Sequence, residues 1–339
     1  MCICKKLYLQ FTKTLTAKTS LNGTTHLPIT IVVLIPLYNE EKNAIAISEA
    51  ISKVFETIAQ ADYKILFVDD GSKDGTLACI KQLSTENEKV AYISFSKNFG
   101  KEAALLAGFE HIPPYTDAVI TIDADMQHPP TLIPTLVQHW QEGNDIVYTF
   151  RKKSNEHVSY FAKATSKMFY WVMSKLADVE LENGIADFKI FDKKVLAVIK
   201  EMKEDAPFFR GLFKWVGFKQ LGIPYKVEAR LHGETKYPTK ALIKIALHNI
   251  TSFSTKPLTM AIYVGFFTSF ISILYIPYVL YSFYEGIAIS GWASTIATIA
   301  FFGGVQLIVL GIIGLYLGKI FMQTKHRPRY IINEIKALS

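Results

Sequence analysis

Ala118-Val119-Ile120-Thr121-Ile122-Asp123-Ala124-Asp125-Met126-Gln127 sets an apolar run directly before two carboxylates and a carboxamide. Read as a strand, this stretch sends successive side chains to opposite faces, so Asp123, Asp125 and Gln127 would point the same way. Three oxygen donors of this kind suit one hard divalent cation, Mg²⁺ or Mn²⁺. Such a cation would keep open positions for diphosphate oxygens. A turn rich in Asp has the same short sequence, so the motif gains its meaning from its neighbours.

Two earlier stretches share its design: Ile31-Val32-Val33-Leu34-Ile35-Pro36-Leu37-Tyr38-Asn39-Glu40-Glu41, and Ile65-Leu66-Phe67-Val68-Asp69-Asp70-Gly71-Ser72-Lys73-Asp74-Gly75-Thr76. Each reads as a buried strand ending in polar residues. Between them Ile45, Ile47, Ile51, Val54, Phe55 and Ile58 recur at helical spacing, which predicts strand, helix, strand and a parallel sheet. Ligands bind at the carboxyl ends of such strands. Tyr38, Glu40, Asp69, Asp70, Asp123 and Asp125 therefore gather at one sheet edge, where Tyr38 could stack on a ring and Asp70 accept from a base N–H. A turn followed by a helix cap, with Asp74 as the capping residue, accounts for Asp69-Asp70-Gly71-Ser72 equally well.

With these stretches the chain resembles family 2 glycosyltransferases of the GT-A fold. The likeness is to the branch that loads a sugar onto polyprenyl phosphate, as do bacterial undecaprenyl (bactoprenol) phosphate glucosyltransferases and dolichyl-phosphate mannose synthase. The motifs that carry it are Pro36-Leu37-Tyr38-Asn39-Glu40, Val68-Asp69-Asp70-Gly71-Ser72, Lys97-Asn98-Phe99-Gly100-Lys101, Asp123-Ala124-Asp125-Met126-Gln127, Phe209-Arg210-Gly211 and Gly233-Glu234-Thr235-Lys236-Tyr237. The resemblance implies a nucleotide on Pro36, Tyr38, Glu40, Asp69 and Asp70, a metal on Asp123, Asp125 and Gln127, and a diphosphate near Lys236. It also suggests assembly into a homo-oligomer through membrane hairpins. Two departures stand out. His128 replaces the Asp usual after Gln, which reads as a substitution without effect. Ile185-Ala186-Asp187-Phe188-Lys189 stands where Gly-Asp-Phe-Arg is common, so Asp187 is kept but its loop lacks the freedom of Gly.

Hydrophobic residues make up 50% of the chain, and they are concentrated near its end. From Leu258 to Gly318 the only acidic or basic residue is Glu285. Two runs, 258–283 and 292–318, are each long enough to cross a hydrocarbon core of about 30 Å. Glu285-Gly286 breaks them, and Trp292 follows at the interface. Lys236, Lys240, Lys244 and Lys256 precede the pair, Lys319, Lys325, Arg327 and Arg329 follow it, and the loop has none. By the positive-inside tendency, both termini and the catalytic domain face the cytoplasm from an inner or plasma membrane crossed twice. Residues 239–254 set Lys240, Lys244 and His248 against Leu242, Ile243, Ala246, Leu247, Ile250 and Phe253, the pattern of a helix lying on the bilayer. A net charge of +7 suits an anionic leaflet and a phosphate-bearing lipid, and no recognition module for nucleic acid accompanies it.

The predicted organisation is an N-terminal arm (1–28), a GT-A α/β domain (29–238), a juxtamembrane amphipathic helix (239–257), a two-helix transmembrane hairpin (258–321) and a cytoplasmic tail (322–339). The arm has no apolar run of signal-peptide length, and Cys2, Cys4 and Cys79 form no metal-like or disulfide framework.

The lipid acceptor implies a mechanism. A phosphate monoester has a second pKa of about 6, so it is largely dianionic at neutral pH and scarcely needs a general base. Catalysis then rests on holding it in line with the anomeric carbon and on neutralising the departing diphosphate, with inversion at the sugar. Arg151, Arg210, Arg230 and Lys236 are the cations expected near phosphates, with Arg151 and Arg210 the candidates for the acceptor. Asp187 could orient a sugar hydroxyl, act as an auxiliary base, or be a cap or salt-bridge partner. The expected donor is UDP-glucose, from resemblance alone. A processive polysaccharide synthase would share the sheet, but Arg210 is not followed by the Trp of the usual Gln-x-x-Arg-Trp signature. A catalytically inactive membrane scaffold would not need an intact Asp123, Asp125, Gln127 and Lys236.

Overall fold

In a computed structural model, the described residues are 28–59, 61–151, 185–202, 204, 207–225, 255–286 and 291–338. In chain order they form β1 (Ile29–Leu37), α1 (Glu41–Phe55), β2 (Ala61–Asp69), α2 (Thr76–Glu86), β3 (Val90–Phe95), α3 (Lys101–His111), β4 (Ala118–Thr121), α4 (Ile133–Gln141), β5 (Ile146–Arg151), β6 (Ile185–Asp192), α5 (Lys193–Glu201), α6 (Phe209–Trp215), β7 (Gln220–Tyr225), α7 (Lys256–Tyr284), α8 (Trp292–Thr324) and β8 (Ile332–Lys336). One eight-stranded sheet runs in the order β7-β5-β6-β4-β1-β2-β3-β8. The centre is parallel, as the strand-helix-strand pattern predicts: β1 pairs with β2 and β4, and β2 with β3. The sheet as a whole is mixed, because β6 runs antiparallel to β4 and β5, and β8 antiparallel to β3.

Burial on both faces explains the unbroken apolar runs of β1 and β2. Ile31, Val33 and Ile35 meet Ile47 and Ile51 of α1, Ile80 of α2 and Leu136 of α4. Val32 and Leu34 meet the opposite layer, with Leu105 and Phe109 of α3, Val195 of α5 and Phe209 of α6. Gly108 lets α3 approach the sheet, since a Cβ there would stand 2.2 Å from a Leu34 methyl. Phe109 packs edge-to-face on Phe191 and Phe209, at centroid distances of 5.6 and 4.9 Å. This is the three-layer α/β/α frame of the GT-A fold.

Helices α7 and α8 are long and apolar enough to cross a membrane, over Lys256–Ser282 and Ser294–Thr324. Only 6% and 0% of their most apolar windows are buried, so neither is a core helix of the α/β frame.

The tail departs from the sequence reading. Beyond α8 the chain returns to the sheet and adds β8 to the edge at β3, with Ser96 N–H donating to the Ile331 carbonyl at 3.0 Å. Tyr330 stacks on Phe95 at 5.1 Å and hydrogen-bonds Glu110. Lys81 pairs with Glu334 at 2.5 Å, and Lys336 donates to the Ser84 carbonyl. Residues 332–336 thus belong to the α/β domain in space though not in sequence.

Candidate active site

β4 ends at Thr121, two residues before the acidic pair. Asp123, Asp125 and Gln127 are therefore not aligned by strand alternation, as the sequence reading had it, but sit in a tight turn. Met126 is left-handed at φ +59°, and Asp125 Oδ1 accepts from the Gln127 N–H at 3.1 Å. The turn still lies at the carboxyl edge of β1 and β4. Thr121 is tied to β6 by its hydroxyl, which donates to the Asp187 carbonyl at 2.5 Å.

The first two motifs interlock beside this turn. Asn39 N–H donates to Ser72 Oγ, and Lys73 N–H to Asn39 Oδ1, both at 2.9 Å. Glu40 N–H donates to Thr76 Oγ1 at 2.9 Å, and Glu41 accepts from Gly75 N–H at 3.2 Å. Asp74 receives the Thr76 N–H at 3.0 Å, one residue ahead of Gly75, which occupies the cap position of α2. Pro36, near the end of β1, pairs in register with Val68, and Tyr38 is 41% exposed, leaving its ring open to stack on a planar group. Asp69 sits differently from its expected nucleotide-binding place. It is 1% exposed, and its oxygens are taken by Ser72 N–H at 3.0 Å and the Ser94 hydroxyl at 2.8 Å. Asp70 likewise accepts the N–H groups of Phe99 and Gly100, at 2.6 and 2.9 Å. Burial raises the Asp70 carboxyl pKa above its ordinary value, and those two bonds only partly oppose it. Gly71, at φ +67°, makes room for the same loop, because a Cβ there would lie 2.4 Å from the Lys97 carbonyl carbon.

That loop delivers Lys101, to which the sequence reading gave no role. The Lys101 ammonium bridges Asp123 Oδ1 and Asp187 Oδ2, each at 2.6 Å. Arg210, at the start of α6, adds Nε and Nη2 to the two Asp187 oxygens at 2.7 Å each. Burial alone would raise the Asp187 carboxyl pKa; Lys101 and Arg210 outweigh it and hold the group well below the usual carboxylate range. Of the roles considered for Asp187, the structure therefore shows the salt bridge. A carboxylate this firmly ionised and doubly paired is a poor proton acceptor. Two more ionisable groups lie behind it. Burial, aided by the negative charge of Asp187, lifts Glu102 to about 7, and burial depresses Lys189 to about 8. The Lys189 ammonium sits over the Phe213 ring at 4.4 Å.

His128, which reads as a substitution without effect, is buried in the structure. Its ring lies between Phe188, stacked at 5.8 Å, and Tyr225, at 5.7 Å. Its buried Nδ1 has no hydrogen-bond partner and stands 3.8 Å from Asp123 Oδ2. Arg151 ends β5 at an exposed position opposite Tyr225. Arg230, Lys236, the 239–254 helix and the N-terminal arm lie outside the described residues.

The arrangement is an edge built from strand ends, where Lys101 links Asp123 of the turn to Asp187 of β6, and Arg210 pairs with Asp187. The glycosyl transferase family 2 model matches residues 32–199, from β1 through most of α5. The chain is 40% identical over 305 residues to the uncharacterized glycosyltransferase YkcC of Bacillus subtilis, covering 89% of this chain and 93% of that protein. It is 37% identical to the bactoprenol glucosyl transferase of Shigella phage SfX, covering 90% and 99%. It is 36% identical to the prophage bactoprenol glucosyl transferase homolog of Escherichia coli, again covering 90% and 99%. The chain belongs to glycosyl transferase family 2. The family resemblance carried by the motifs is thus met in this glycosyltransferase.

Proposed function

We propose that this glycosyltransferase moves glucose from UDP-glucose onto a polyprenyl phosphate, with inversion, at the cytoplasmic face of a membrane spanned by α7 and α8. The observation that carries the reading is the meeting of Asp123, Lys101, Asp187 and Arg210 beside the Asp123-Ala124-Asp125 turn, in a chain with two unburied apolar helices. The lipid acceptor and the glucose follow the relatives named as bactoprenol glucosyl transferases. Outward-flanking lysines and arginines support the orientation.

The donor set fits a divalent cation. Among the described residues no three His, Cys, Asp or Glu side chains converge into a closed metal cage. Mg²⁺ and Mn²⁺ sites on nucleotide enzymes use one or two carboxylates completed by substrate phosphates. Asp123, Asp125 and the Gln127 carboxamide would hold such an ion, which when bound would offset the charge of the leaving diphosphate. Tyr38 stacks on the nucleobase, while Pro36 and Glu40 shape its pocket. Asp69 and Asp70 act from beneath, by fixing the loops around it. Asp187 anchors Arg210 and Lys101, and Arg210, 42% exposed at its side chain, meets the acceptor phosphate. Arg151, Arg230 and Lys236 are further phosphate contacts. No proton need be removed from a dianionic acceptor, so the chain's task is to align it and screen it.

Detergent-purified protein with undecaprenyl phosphate, Mn²⁺ and radiolabelled UDP-glucose should put label into the organic phase, and Asp125→Ala should lower that rate by 100-fold or more, an order-of-magnitude expectation for a lost electrostatic contact at the leaving group. Undiminished turnover in Asp125→Ala would remove the metal assignment. Label from another nucleotide-sugar and none from UDP-glucose would reassign the donor.

A further inference from the structure

Lys101 stands where helix stability does not call for it, and where the charge it balances is that of Asp123. It is the first residue of α3, the end at which the helix dipole disfavours a cation. Its partner Asp187 already holds a two-point pair with Arg210. What Lys101 adds is a positive charge on Asp123, at 2.6 Å from a carboxylate otherwise suited to a divalent ion. The two partners differ in freedom: the Asp187 side chain is 8% exposed, whereas that of Lys101 is 39% exposed and has room to swing outward. The other oxygen of Asp123 faces the unpartnered Nδ1 of His128 at 3.8 Å, so the carboxylate has a second polar neighbour to turn toward.

We propose that Lys101 is a placeholder cation. Its ammonium neutralises Asp123 in the empty enzyme, then gives up that carboxylate and turns to the donor's diphosphate when a nucleotide arrives with its divalent ion. The same side chain thus competes with the metal before the nucleotide binds and supports the nucleotide afterwards. Asp187 keeps Lys101 within reach in both states, and the bonds from Phe99 and Gly100 to Asp70 hold the loop from which it extends. This inference rests on the metal-dependent donor site proposed above.

The test separates the two halves of the exchange. Mn²⁺ binding is read by the loss of the free-ion electron paramagnetic resonance signal, without and with UDP, in wild-type protein and in Lys101→Met. Removing one competing charge from a partly wet site should tighten Mn²⁺ alone by roughly tenfold. In the presence of Mn²⁺, UDP should bind roughly tenfold more weakly, for loss of one charged contact. Lys189→Met controls for general electrostatics, since it removes a nearby cation that does not touch Asp123, and it should leave both affinities within about twofold. Lys101→Gln gives the same pair of readings should the methionine variant not fold. Unchanged or weaker Mn²⁺ binding in the Lys101 variants, unchanged UDP affinity, or equal tightening in Lys189→Met each overturns the placeholder. Wild-type protein that takes up Mn²⁺ neither alone nor with UDP overturns the donor-site reading and the placeholder with it.

Discussion

Gly71 shows how far one residue's backbone reaches. At φ +67° any side chain is strained, and a Cβ would press on the Lys97 backbone at 2.4 Å. Strain of this kind costs about 1–3 kcal/mol. Gly71→Ala should therefore lower the melting temperature by several degrees, and it should cost more activity than stability, because the loop it displaces ends in Lys101; an unaltered transfer rate would argue that the loop position is immaterial. Asp187 and Arg210 were readable in the sequence as chemistry but not as partners. They lie 23 residues apart on a strand and a helix, and only the packing of α6 on the sheet brings them to 2.7 Å. Lys101 was visible within Lys97-Asn98-Phe99-Gly100-Lys101, and its place after a glycine at a helix start was the available signal. The burial of His128 between Phe188 and Tyr225 is a tertiary property with no signal in the local sequence.

The elements that periodicity defines, β1, α1, β2 and the two long apolar helices, were legible, since each buries or exposes a regular face. Strand neighbours were not: nothing local in β6 says that it will run antiparallel between β4 and β5. The shortness of β4 has no local signal either, because Ile122 continues the apolar run after the register with β1 ends at Thr121. β8 was hidden for a related reason. Its five residues include Asn333, Glu334 and Lys336, and a short polar edge strand has little pattern of its own. Its contribution is measurable. Deleting residues 331–339 removes the ladder to β3 and the Lys81–Glu334 pair while leaving Tyr330 on Phe95, and should lower the melting temperature of the α/β domain by about 5 °C. An unchanged melting temperature would mean that β8 is an ornament on the sheet.

At the scale of the molecule, the buried charges give stability a pH profile. Glu102 ordinarily titrates at 4.5 and here at about 7, so between those values the folded state keeps a proton that the unfolded chain has released, and stability falls as pH rises. Lys189 ordinarily titrates at 10.5 and here at about 8, so from about 8 upward the unfolded chain holds the extra proton and stability rises again. The melting temperature in detergent should pass through a trough between pH 7 and 8, and Glu102→Gln should flatten its acid side. A monotonic profile, or one unchanged in that variant, would show that Glu102 is not the titrating group.

The position of β8 bears on how the protein is made. Chains emerge from the ribosome N-terminus first, and domains tend to fold in that order. Seven strands of the sheet precede α7 and α8, and the eighth follows them. The edge of β3 therefore receives its β8 partner only after both apolar helices have been synthesised, so the completed sheet marks a chain translated past both of them.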